Sequence, residues 1–314
     1  MKVFLFTFIQ MAWVAGFSQS LSLSPNFGDS FHSLNLDIRW EATNVLPHTV
    51  WIYKILPKEF PSIGVSNLVA ECGFTEQNIS ESNSAMLSYS IAGKFGIKHP
   101  DKHLQISKGD IFYTSAINYI RLATNVPTMD QMLEVTSNFL VRIGFNISEI
   151  QTNTDGTPTF RFIEPSTEYF LPNGTIITNA HFREARFGRS VDGIDVVGTA
   201  GCGDVQFGEF GKPVQIDISW HNLQRFKSYS IASPDKIGKW IREGKAVQQG
   251  IPMNLPPIDW STVKRLTIKD SKLLYYGGER VAPSEWLMPL VSLWTTVDTG
   301  HGNIDVEIDC PIVE

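Results

Sequence analysis

Asp298-Thr299-Gly300 is the triplet that holds the catalytic carboxylate of an aspartic peptidase. That chemistry needs two carboxylates sharing one proton. No second Asp-Ser/Thr-Gly is present and only 14 residues follow Gly300, so the triplet reads as a turn between strands. His99 and His103 are four apart and would share a helix face as metal ligands, but Pro100 and the flanking Lys98 and Lys102 point to an exposed loop. Gly198-Thr199-Ala200-Gly201-Cys202-Gly203 has the glycine density of a phosphate cradle. A cradle opens a helix, whereas a strand follows here, so a turn is expected. Glu184, Asp192, Asp195 and Asp204 are close enough in sequence to gather oxygens around calcium, without the spacing of a dedicated loop. No His-Glu-x-x-His, Gly-Lys-Ser/Thr or Gly-x-Ser-x-Gly occurs, and the three cysteines have no zinc spacing. No cofactor is implied.

The elements that must position such residues are legible in part. A strand is expected at Val50–Leu56, then a helix over about 62–72 ending at Gly73-Phe74. Met86–Ile91 and Asp110–Ser115 read as strands. Thr128 and Gln131 form a capping box for a helix from Met129 to Ile143, with Met132, Val135, Phe139, Leu140 and Ile143 as its apolar stripe. Gly144-Phe145 ends it as Gly73-Phe74 ended the first, which suggests a duplication. Strands follow near 182–187, 194–197 and 204–207. Val214–Trp220 alternates with period two, as a half-buried antiparallel strand does. Ser233-Pro234 opens a third helix that Gly244 stops. Leu266–Tyr276, Trp286–Val297 and Ile304–Ile308 complete the strands. The expected fold is α+β: antiparallel sheets, each covered by one or two amphipathic helices, in two related modules at 45–165 and 166–314.

Composition bounds the function. Hydrophobic residues make up 42% and charged residues 18%, enough for a core, and the net charge of -6 argues against nucleic-acid binding. Residues 1–20 carry Lys2, a short apolar stretch and small residues at Gly16, Ser18 and Ser20, the layout of a signal peptide. Residues 21–44 read as a loose arm, and no membrane span is expected. An exported chain meets oxidising conditions, so Cys202 and Cys310 are the candidates for a disulfide, with Cys72 buried on a helix. Sequons at Asn78, Asn146 and Asn173 are candidate glycosylation sites.

The stretch Phe187 to Gly198 with its Asp192-Gly193-Ile194 core, then Gly203 to Phe207, Gly211 and Val214–Trp220, resembles the propeptides of thermolysin-type secreted metallopeptidases and the related PepSY domains. The likeness is dense over 183–220 and looser over 128–162 and 233–297. It implies a secreted, non-enzymatic binding or inhibitory module whose partner is a co-secreted protein such as a peptidase. Binding would then fall on the loops at Asp192, Gly193, Gly198 and Gly203. A secreted hydrolase with a site assembled from non-adjacent residues, and an extracellular structural protein, are the other readings.

Overall fold

The computed structural model describes residues 36–83, 85–91, 101–116, 122–170, 173–249, 258–279, 282–300 and 302–313. The expected leader at 1–20, most of the expected arm at 21–44, and His99 lie outside them. The helices form where their end signals are strongest. α1 (Ser62–Glu71), α2 (Met132–Arg142) and α3 (Pro234–Arg242) each stop at a glycine with positive φ: Gly73, Gly144 and Gly244. After each glycine the next N–H reaches back to a carbonyl five residues earlier, as Phe145 does to Leu140 at 2.9 Å. The Thr128 N–H donates to Gln131 Oε1 at the start of α2, as the capping box requires.

Strands dominate the rest. An eight-stranded sheet, antiparallel throughout, runs in the order Ile79–Ser82, Met86–Ile91, Lys102–Ser107, Asp110–Ser115, Pro213–Trp220, Gly201–Phe207, Arg183–Gly188, Phe160–Ile163. A nine-stranded sheet is built on a long hairpin, Arg265–Glu279 with Ala282–Asp298. Along the outer edge of the first hairpin strand lie Asp37–Trp40 and Ile194–Val197, both parallel to it. Along the outer edge of the second lie Asn303–Pro311 and Thr49–Leu56, which in turn pair Val247–Gln249 and Asn222–Ser230. A separate ribbon pairs Thr167–Phe170 with Ile176–Asn179.

The expected α+β architecture of helix-covered antiparallel sheets in two related modules is therefore corrected. The chain is mostly β, with three α-helices of 10, 11 and 9 residues among the described residues and two large sheets. The reason is dimensional. A ten-residue helix is about 15 Å long, whereas eight strands side by side span roughly 34 Å. Strands from before and after residue 165 also interleave in both sheets, as Asp110–Ser115 does with Pro213–Trp220.

Two cores result. In one, Leu68 of α1, Cys72 just past its end, and Met132, Phe139 and Leu140 of α2 pack on Tyr113, Val205, Phe207, Ile218 and Trp220 of the eight-stranded sheet. α1 meets the end of α2 at Gly64, where a Cβ would sit 2.2 Å from the Ile143 carbonyl oxygen. In the other, Ile237, Trp240 and Ile241 of α3 pack with Leu266, Tyr275, Leu293 and Val306 of the nine-stranded sheet.

No disulfide joins the three cysteines. The expected Cys202–Cys310 bridge is not formed; Cys202 lies in the eight-stranded sheet and Cys310 in the nine-stranded one. Cys72 is buried in the first core, where the helical spacing placed it.

Candidate functional site

Alternation fixes which side chains leave the eight-stranded sheet on the face away from the helices. Ile216, Ile218 and Trp220 point into the core, so Gln215, Asp217 and Ser219 point out. Ala185 and Phe187 point in, so Glu184 and Arg186 point out. Val205 and Phe207 point in, so Cys202, Asp204 and Gln206 point out. Gly203 is on the inner side, and a Cβ there would lie 2.2 Å from the Phe187 ring. Its lack of a side chain is what lets Phe187 pack against Phe145, Phe160 and Trp220.

Register then lines up a row across six strands. Arg161, Arg186, Asp204, Asp217, Phe112 and Gln105 stand directly opposite one another in turn. Phe112 is exposed. Two depressions adjoin the row and share Asp217. One, of about 480 Å³, is lined by Gln151, Thr159, Arg161, Arg186, Cys202 and Asp204 among others. The other, of about 510 Å³, is lined by Gln105, Ser107, Asp110, Phe112, Thr199, Ser219 and His221 among others.

The strongest electrostatic feature lies in the first depression. Arg186 Nε donates to both Glu184 and Asp204, the latter at 3.1 Å. Glu184 is buried and also accepts from Gln206 at 3.5 Å. Burial first, and then the neighbouring Glu184 carboxylate, push the Asp204 carboxyl up to about 7, with Arg186 opposing. In the second depression Ser219 Oγ donates to Asp110 at 2.6 Å, and His221 stands 4.0 Å from the same carboxylate. The acid sits between hydroxyl and imidazole, whereas an activated serine needs the imidazole in the middle.

The residues singled out from sequence fall in several places. Asp192 and Gly193 form a turn at the edge of the nine-stranded sheet, with φ of 53° and 77°. The Asp192 carboxylate accepts from Tyr53 and from Arg225, the latter at 2.7 Å. Gly198 lies where the chain crosses between sheets, and a Cβ there would be 2.4 Å from the Gly278 carbonyl oxygen. Of the four expected loop positions, only Gly203 lines the open face, through its backbone. The calcium set is divided. Glu184 and Asp204 meet, but Asp195 pairs with Lys272 at 2.6 Å and Asp192 with Arg225. Among the described residues no group of three or more His, Cys, Asp or Glu could hold a metal ion. Asp298 accepts the Gly300 N–H at 2.9 Å, as a turn residue does. His103 lies on a strand of the open face, 3.2 Å from Ser90 Oγ. Arg161, Arg186, Asp217, Phe112 and Gln105 went unnoticed in the sequence. The outward phase of Val214–Trp220 marks Asp217, but of its two neighbours only Asp204 is near in sequence, and Phe112 comes from a strand about 100 residues earlier.

No family model matches the sequence, and no curated protein matches it. Solved structures give distant likenesses. An uncharacterized protein from Eubacterium rectale ATCC 33656 is similar with a TM-score of 0.41 and 10% identity, over 87% of this chain and 86% of that one. The Bacillus megaterium YpeB C-terminal domain is similar with a TM-score of 0.33 and 9% identity, over 82% of this chain and 99% of that one.

Proposed function

We propose that the chain is an exported binding module whose recognition surface is the open face of the eight-stranded sheet, and whose partner is a co-exported protein, a peptidase being one candidate. The row from Arg161 to Gln105 carries this reading. Two cations, two acids, an exposed aromatic ring and an amide stand in line on a paired sheet. Such a line offers an exposed aromatic anchor and a charge pattern that fixes a partner's register. The residues with the propeptide-like pattern, 183–220, include three of the six strands that build it. A photo-crosslinking amino acid in place of Phe112, with Phe226 on the nine-stranded sheet as control, tests the reading during export from the producing cell. The expected result is one dominant cross-linked protein at 112 that is absent at 226. Equal cross-linking at both positions, or none at 112, would overturn it.

A hydrolase is the second reading, favoured by one observation. Glu184 and Asp204 from neighbouring strands meet beside a depression that Asp204 lines, and burial with the Glu184 carboxylate raises the Asp204 carboxyl to about 7, within the range a general acid needs. Turnover of a glycoside or peptide substrate that disappears in Asp204→Asn would select this reading over the first.

A further inference from the structure

Arg186 offers one Nε–H to two carboxylates at once. One donor cannot satisfy both acids, and Asp204 Oδ1 is buried with no hydrogen-bond partner. The charged groups around this point come from four strands. Glu184 and Arg186 share one, Asp204 is on the next, Asp217 stands directly opposite Asp204, and Arg161 stands directly opposite Arg186. Like charges on neighbouring strands repel: an ionised Asp204 has Asp217 directly opposite on one side, and on the other side Glu184 stands diagonally beside its direct partner Arg186. A proton held between Glu184 and Asp204 supplies the missing donor and removes the repulsion. We propose that Glu184 and Asp204 share a single proton and act as a proton-linked switch on the open face. With the proton in place, the Glu184–Asp204–Arg186 group is neutral. Without it the group carries one negative charge.

The consequence for recognition rests on the open face being the binding surface, but the proton itself does not. A partner presenting a lysine or arginine side chain here binds the deprotonated face more tightly and expels the proton. Burial and the Glu184 carboxylate, the causes that raise Asp204, act in the same sense as this geometry.

The test is a carbon-13 NMR titration of side-chain carboxyls in the purified chain, with no partner added. Wild type should show one aspartate carboxyl titrating near pH 7, assigned to Asp204 by its disappearance in Asp204→Asn. In Glu184→Gln, which keeps shape and burial, that transition should drop by about one pH unit or more, because one pH unit reports a specific neighbour of this kind. Arg186→Gln should move it the other way. An Asp204 carboxyl that titrates below about pH 5 in wild type, or one unmoved by Glu184→Gln in a chain with an unchanged amide spectrum, would overturn the proposal. Because no partner enters the measurement, its outcome is independent of the cross-linking at Phe112.

Discussion

Arg189 Nη2 lies 2.9 Å from the Glu149 carboxylate, at the place where the chain passes between the two sheets. Arg189 itself joins Arg183–Gly188 of one sheet to Ser190–Val191 of the other. Residues 198–200 make the return crossing, and His221 the third. Arg189 touches all three. Its N–H donates to the Gly201 carbonyl at 2.9 Å, its own carbonyl accepts from Val196 at 2.9 Å, and Nη1 reaches the His221 carbonyl at 2.5 Å. Glu149 also accepts from Trp220 Nε1 at 2.7 Å and lies 3.8 Å from Lys58.

This arrangement makes Glu149 a stability residue. Glu149→Ala leaves a buried guanidinium and a buried indole N–H without their acceptor, a loss that costs about 3 kcal/mol or more. Urea denaturation at pH 7 measures it. A cost below about 1 kcal/mol would show that the crossings hold without the ion pair.

Two glycines of the propeptide-like stretch should behave differently although both have positive φ. Gly193 has φ 77° and nothing within 4 Å of its added Cβ, so Gly193→Ala should cost about 1–2 kcal/mol from the backbone alone. Gly198 has φ 83° and the Gly278 carbonyl oxygen 2.4 Å from its added Cβ. Gly198→Ala adds a backbone clash to the same strain and should cost clearly more, with loss of soluble protein as the extreme outcome. Equal midpoints in thermal melts of the two variants would contradict the crossing geometry.

Asp309 gives stability a pH slope of predictable sign. Burial pushes its carboxyl up to about 6, Glu307 adds to the effect, and Ser292 and Gln249 oppose it. In the unfolded chain it titrates near 3.8. Between those values the folded state holds a proton that the unfolded state has released, so stability falls as pH rises and is level outside the window. Asp309→Asn removes this penalty, on the order of 3 kcal/mol above pH 6 by the free energy per pH unit. The variant and wild type should therefore diverge between about pH 4 and 6 in chemical denaturation. A constant difference from pH 4 to 8 would place the effect elsewhere.

The elements with strong local signals were legible. Met86–Ile91, Asp110–Ser115 and Ile194–Val197 stand where their composition puts them, and all three helices end at the glycines that mark them. The strands that escaped are those held by distant partners. Asn222–Ser230 is mostly exposed and polar, and is a strand because Thr49–Leu56 pairs with it. Asp37–Trp40 lies in what reads as a loose arm, and is ordered by parallel pairing with Arg265–Ile268. The same limit applies to the open face. That Asp217 points outward follows from alternation, but that it stands between Asp204 and Phe112 is a property of register between distant segments.

The cysteines allow a direct chemical check of the two-sheet arrangement. Cys72 and Cys310 are buried in separate cores, and burial pushes both thiols well above the usual range, so neither forms the reactive thiolate in the native chain. Cys202 points outward on its strand and lines the first depression. A thiol-disulfide reagent added to native protein should therefore modify one cysteine quickly and the other two only on unfolding. Cys202→Ser should abolish the fast phase, and Cys72→Ser and Cys310→Ser should leave it intact. If the native chain instead showed no fast phase, and gained two thiols on reduction, Cys202 would be bonded to Cys310 after all. The two sheets would then have to bring those strands within about 7 Å of each other.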